Sequence, residues 1–187
     1  MELNYKNPKI ILLAGKARSG KNTIGDMLKE LYESDDKKVI VSPYTKYLKK
    51  YIKEITGKDI DDDNKPRELL QQLGIEVIKE KLGKVDMFIS RQIDDIDIYS
   101  YFFDVIIIPD VRFPREIDII KEKYNNYTCI KVISDRDNNM SDNEKNHITE
   151  TSLDSYDDSN FDYIINNNDY DELKNIVNDI YDDIKVL

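Results

Sequence analysis

The sequence predicts an α/β protein in which one parallel sheet carries helices on both faces. Three observations carry that prediction. Short apolar runs alternate with stretches that repeat apolar residues at helical spacing, the pattern of strands joined by crossover helices. The run Phe103-Asp104-Val105-Ile106-Ile107-Ile108 is continuous and β-branched, as expected of a central strand buried on both sides. At the N-terminal end, a strand-like run passes through a glycine loop directly into a helix pattern.

That first run, Ile10-Ile11-Leu12-Leu13-Ala14, is too short and too sharply bounded to be a helix. It feeds Gly15-Lys16-Ala17-Arg18-Ser19-Gly20-Lys21-Asn22-Thr23, with glycines five residues apart and a lysine after the second. Ile24, Met27, Leu28 and Leu31 then fall on one helical face. Strand, loop and helix in this order make a phosphate-binding loop, or P-loop. The glycines let backbone N–H groups curl around a di- or triphosphate, the helix N-terminus adds its positive dipole end, and Lys21 reaches the β- and γ-phosphates. Residues 15–23 are therefore read as the ATP-binding segment, with Lys21 an exposed loop lysine. A glycine- and lysine-rich turn without a ligand is the plainer alternative, and the flanking strand and helix weigh against it. Asn22 stands where the usual motif has the Ser or Thr whose hydroxyl binds Mg²⁺. Thr23 points elsewhere on the helix, so the choice between Asn22 and Thr23 as the metal-side residue stays open.

Lys38-Val39-Ile40-Val41-Ser42 is the second strand. Residues 44–102 are too long for one crossover and hold no convincing strand, which predicts a helical lobe with helices over Tyr44–Ile55 and Pro66–Lys81. Within it, Arg67 stands at a helix start, with the amides of Gln71 and Gln72 a turn later. That set suits a substrate phosphate and a base edge; a solvated helix face, with Leu69, Leu70 and Leu73 inward, is the alternative.

The third strand is followed by Pro109-Asp110-Val111-Arg112-Phe113-Pro114. An acidic residue at the carboxyl end of a buried strand beside a P-loop holds Mg²⁺, directly or through water. Asp110 is assigned that role against its alternative as a helix cap. Arg112 either reaches a phosphate or pairs with Asp110. A helix over Arg115–Tyr124, strands over Tyr127–Ile133 and Phe161–Ile165, and a final helix with Leu173, Ile176, Val177, Ile180 and Ile184 inward complete the pattern. Residues 134–160 are polar and carry the only histidine, His147, so they form either a disordered loop or a functional lid. Ser141-Asp142-Asn143-Glu144 reads there as a capping box that starts a short helix. A metal role for His147 is rejected, since no second His or Cys can share the ion. Taken singly, Arg136 and Glu150 are ambiguous.

Composition narrows the function classes. At 187 residues the chain suits one domain, without internal repeat or dividing linker. A formal charge of −10 argues against nucleic acid as the main partner but permits a small phosphorylated ligand, for which a local cluster of cations suffices. The single cysteine, Cys129, excludes an internal disulfide and a Cys-based zinc site, and its apolar setting predicts an inert buried thiol. No signal peptide and no apolar stretch near 18 residues is present, which predicts a cytoplasmic protein without membrane contact. Lysines dominate the basic residues, and arginine is the better bidentate phosphate ligand. The six arginines (Arg18, Arg67, Arg91, Arg112, Arg115 and Arg136) are therefore each worth placing.

Together these pieces resemble the phage-type deoxynucleoside monophosphate kinases, a branch of the P-loop kinases that includes animal-type phosphomevalonate kinases. The resemblance runs through residues 15–23, where that family typically has an acidic residue at the Asn22 position. It continues through Lys65-Pro66-Arg67-Glu68-Leu69-Leu70-Gln71-Gln72-Leu73-Gly74 and Asp110-Val111-Arg112-Phe113-Pro114-Arg115-Glu116, and ends with His147-Ile148-Thr149-Glu150 and Phe161-Asp162-Tyr163-Ile164-Ile165-Asn166. It implies a P-loop NTPase three-layer fold with five parallel strands in order 2-3-1-4-5, an NMP-binding lobe at residues 44–102 and a lid at 134–160. It also implies transfer of the γ-phosphoryl group of ATP, with Mg²⁺, to a (deoxy)nucleoside monophosphate. Lys21, Arg18, Asp110 and Arg136 are then the catalytic set, with Arg136 brought in by the lid. Arg67, Gln71, Gln72, Arg112, His147 and Glu150 are the substrate-binding set. The expected partners are small-molecule nucleotides, a homodimer is compatible with the sequence, and a phage-encoded chain would work in the host cytoplasm. Three rivals stay open: a kinase of another small acceptor such as phosphomevalonate or dephospho-coenzyme A, a non-catalytic nucleotide-binding module, and a guanine-selective switch. The last needs an Asn-Lys-x-Asp segment, and Asn166-Asn167-Asn168-Asp169 lacks the lysine.

Overall fold

The apolar run after Pro8 forms β1 (Lys9–Ala14), every residue of it buried. Burial on both faces is what a middle strand requires, and β1 is the middle of five. With β2 (Val39–Val41), β3 (Val105–Val111), β4 (Tyr127–Ile133) and β5 (Tyr163–Asn166) it makes one parallel sheet in the order β2-β3-β1-β4-β5. Ile10 lies abreast of Ile106 on one side and of Tyr127 on the other. The computed structural model describes residues 3–58, 60, 66–135 and 145–185.

Alternation along β1 sorts the core. Ile11 and Leu13 pack in one cluster with Ile24, Leu28 and Tyr32 of α1 (Lys21–Ser34). The same cluster takes Leu173, Val177 and Ile180 of α7 (Tyr170–Ile184). Ile10 and Leu12 point to the other face and are as fully buried, as are Ile117 and Ile120 of α5 (Pro114–Lys123). Truncating one of these aliphatic side chains to Ala costs about 2–5 kcal/mol.

Two strands depart from expectation. β5 begins at Tyr163, because Asp158–Asn160 first forms a single 3₁₀ turn. β3 does not stop at Ile108 but runs through Pro109 and Asp110 to Val111. Its register against β1 slips there: Leu12 pairs with Ile108, yet Ala14 pairs with Val111. Three steps on β3 match two on β1, which is a β-bulge at Pro109-Asp110, where proline has no N–H to give to the ladder.

The chain divides into two compact units, one running to Pro43 and resuming at Ile96, the other Tyr44–Asp95. The second unit is helical. It contains α2 (Lys46–Thr56), α3 (Arg67–Gln71), and α4 (Met87–Tyr99) as far as Asp95. The helix expected over Pro66–Lys81 changes pitch at Gln72, and Gln72–Lys81 is a π-helix. Gly74 lies in it, and a Cβ there would come within 3.1 Å of the Leu48 side chain on α2. α4 has no counterpart among the expected helices. Its inward positions are Phe88, Ile89, Gln92, Asp95 and Ile96, and the two polar members hide the helical period. Asp95 accepts from the Tyr47 hydroxyl at 2.9 Å and pairs with Lys46. No helix among the described residues is long and apolar enough to cross a membrane.

Candidate functional site

Residues 15–20 form a tight turn between β1 and α1, and Lys21 to Thr23 open the helix. Gly15 sits at φ +146°, and a Cβ there would fall 2.3 Å from the Val132 carbonyl oxygen of β4. Gly20, at φ +98°, caps α1 with no side chain over the helix end. Both positions need glycine, for conformation and for space. Arg18 takes the left-handed region without being glycine, at φ 60°, which costs on the order of 1–2 kcal/mol. Left-handed turns next to an uncapped helix start gather backbone N–H groups into an anion-binding nest.

Lys21 corrects one expectation. Its side chain is not exposed: it is 6% accessible and folds back over its own loop. Its Nζ donates to the Lys16 carbonyl at 2.5 Å and to Ser19 Oγ at 3.3 Å. Asn167, which sequence reasoning did not single out, clamps the loop from the end of β5. It is buried, and its side-chain amide donates to the Ser19 carbonyl at 2.8 Å. The same amide is the group that a Cβ on Gly20 would strike, at 2.0 Å. Its one sequence signal was position, directly after a strand.

A cleft of about 360 Å³ opens beside the loop, walled by the end of β4, by Arg112 and by the turn after α6 (Ile148–Thr151). Here the predicted residues Ala17, Arg112 and Glu150 meet. Glu150 Oε2 accepts from the Ala17 backbone N–H at 2.6 Å and from Arg112 Nη1 at 2.8 Å. Arg112 is held by its neighbours. Its backbone N–H donates to Glu116 at 2.8 Å, in the cap of α5, and its carbonyl accepts from Ser152 Oγ. Two further cations at the cleft carry acidic partners: Lys16 pairs with Asp154 at 2.9 Å and Lys131 with Asp158 at 2.5 Å. His147 caps α6, its Nδ1 accepting from the Thr149 backbone N–H at 3.3 Å.

Asp110 rides on the bulge of β3, half-buried, while Asn22 and Thr23 lie exposed in the first turn of α1. Among the described residues no three His, Cys, Asp or Glu side chains cluster as a metal site. Asp110 and Asn22 still offer the hard oxygens that Mg²⁺ takes alongside phosphate oxygens and water. In the second unit, Arg67 is the first residue of α3, Gln71 is half-buried, and exposed Gln72 donates to Glu68 at 3.5 Å. Arg136 and the segment 141–144 lie outside the described residues. Cys129 is buried, and burial pushes its thiol up to about 12, so it is inert at neutral pH.

No protein-family model matches the sequence, and no curated protein does. Solved structures match along the whole chain. A shikimate kinase from Bacteroides thetaiotaomicron superposes with a TM-score of 0.51 at 15% identity, over 95% of this chain and 98% of its own. The shikimate kinase from Acinetobacter baumannii, solved with shikimate, does so at 0.51 and 16%, over 97% and 96%. At such identities the likeness is one of fold. This chain therefore shares the fold of those two kinases, five parallel strands in the order 2-3-1-4-5 with helices around them.

Proposed function

We propose that the protein is an ATP-dependent phosphotransferase whose acceptor is a (deoxy)nucleoside monophosphate, giving the diphosphate. One observation carries the reading. A backbone N–H of the phosphate loop and the guanidinium of Arg112, from a different strand end, converge on a single carboxylate oxygen. A loop alone binds a nucleotide; a loop with a second cation facing it suits an anion passed from one phosphate to another.

The chemistry needs no protein nucleophile and no strong base, because an acceptor phosphate is already an anion. Catalysis is positioning plus neutralisation. Lys21 leaves the Lys16 carbonyl for the β- and γ-phosphates of ATP. Arg18 and Arg136 balance charge on the transferring group. Arg67 and Arg112 are each candidates for the acceptor phosphate, and Gln71, Gln72 and His147 are candidates for the rest of the acceptor. When bound, Mg²⁺ neutralises phosphate charge; Asp110, through water, and Asn22 or Thr23 would hold it. The formal charge of −10 supports small nucleotides over nucleic acid as ligands.

A second reading has comparable support: a P-loop kinase of another small acceptor, in keeping with the fold neighbours. A hydroxyl acceptor needs a general base, and Asp110 is the carboxylate at the strand end to serve. A coupled ADP-release assay over the common NMPs and dNMPs, with shikimate, phosphomevalonate and dephospho-coenzyme A alongside, decides. Turnover on a monophosphate is the expected result. Turnover only on another acceptor establishes the second reading, and ATP binding without ADP release leaves a non-catalytic module.

A further inference from the structure

Three cations of the cleft are matched by acids four residues apart in sequence: Arg112 by Glu150, Lys16 by Asp154 and Lys131 by Asp158. The last two acids stand in solvent, where such pairs contribute little. Glu150 differs. It is 7% accessible, and one of its oxygens takes both the Ala17 N–H and the Arg112 guanidinium. Charged acceptors bound by charged donors make strong hydrogen bonds. The turn that carries Glu150 is anchored separately, by Ser152 on the Arg112 carbonyl, by buried Leu153 and by Tyr156 on Asp118.

We propose that Glu150 is an internal stand-in for a phosphate, a carboxylate that occupies the oxyanion position between Ala17 N–H and Arg112 until a nucleotide phosphate displaces it. This rests on the cleft being the phosphate site of the proposed kinase. A carboxylate repels a phosphate, so Glu150 cannot keep its place once a phosphoryl oxygen takes the same donors. Its side chain must rotate away while its anchored turn stays. Every nucleotide that enters therefore competes with it, and the apparent affinity is lower than the loop alone would give. Holding the donors paired also keeps Arg112 in place between turnovers.

The test is calorimetric binding of ATP, ADP and inorganic tripolyphosphate to the wild-type protein, Glu150→Gln and Glu150→Asp. The amide keeps an acceptor oxygen but lacks the charge, and the aspartate lacks the reach, so either variant loosens the hold on the donors. Tripolyphosphate and ADP should bind about tenfold more tightly to both variants. Tripolyphosphate carries no base or sugar, so its gain isolates the phosphate position. Binding to the wild type with no gain in either variant overturns the inference and leaves the kinase reading standing. No binding to any of the three proteins overturns both. If neither variant folds, NMR of the wild type decides: the Ala17 amide and the Glu150 carboxyl carbon should shift together on adding tripolyphosphate. A Glu150 resonance that stays fixed while Ala17 moves overturns the inference.

Discussion

Lys21 shows how a single side chain can be named from sequence and still be misread in one respect. Its place after Gly20 predicts the phosphate role, but its burial follows from contacts that no local pattern encodes. The ammonium is held by two acceptors of its own loop, the Lys16 carbonyl and Ser19 Oγ. Lys21→Ala therefore has two expected effects. Turnover should fall on the order of 10²–10³-fold or more, as for loss of a transition-state donor. The thermal midpoint should drop, for two lost hydrogen bonds worth about 1 kcal/mol each. Steady-state kinetics and a melting curve read the two separately, and near-normal turnover removes the P-loop assignment. Asn167 was illegible for a different reason. A buried amide that clamps a loop from the far end of the chain has no period and no neighbouring motif, only the topology that brings β5 there.

At the scale of elements, the phosphate-loop strand, its helix and the C-terminal helix were legible because their apolar spacing is clean. The bulge of β3 and the whole of α4 were not. A bulge is a register event between two strands, invisible in either alone, and α4 buries Gln92 and Asp95 where a pattern search wants apolar residues. Bulges re-aim side chains, and Asp110, proposed for the metal side of the site, rides on this one. Asp110→Asn should lower turnover about tenfold or more while ATP binding changes little, as for residues that act on a metal through its surroundings. An unchanged rate and Mg²⁺ requirement on titration would make Asp110 structural. Arg67 opens α3 and is proposed for the acceptor phosphate. Arg67→Ala should raise the acceptor KM one to two orders of magnitude, roughly 1.5–3 kcal/mol, with the ATP KM unmoved. The opposite split would assign Arg67 to the donor.

For the molecule as a whole, alternation of strands and helices made the fold class legible, and the resemblance added the strand order. The acid–cation matching of the cleft was not legible, because it depends on side chains distant in sequence. Several buried acids of the weak kind set the stability at high pH. Burial pushes the Tyr32 hydroxyl and the Cys129 thiol each up to about 12, from ordinary values of 10.0 and 9.0. Tyr181 is raised too, by burial and then by its hydrogen bond to Asp35. The unfolded chain loses these protons first, so stability is whole below about pH 9 and declines as pH climbs toward about 12. Denaturant midpoints at about pH 8 and about pH 11 measure it, and equal midpoints would mean that these groups titrate alike in the folded and unfolded chain. The strand order has a consequence for synthesis as well. β1 leaves the ribosome first, yet Lys9 waits for Val105 and Ile10 for Tyr127 before either edge is paired. Until then Ile10 to Leu13 is a nascent, apolar, two-edged strand, the kind of segment that aggregates or is held by chaperones. A fragment that ends before Val105 should bind a hydrophobic dye and show no amide protection in β1, whereas protection there would mean that the strand finds order without its neighbours.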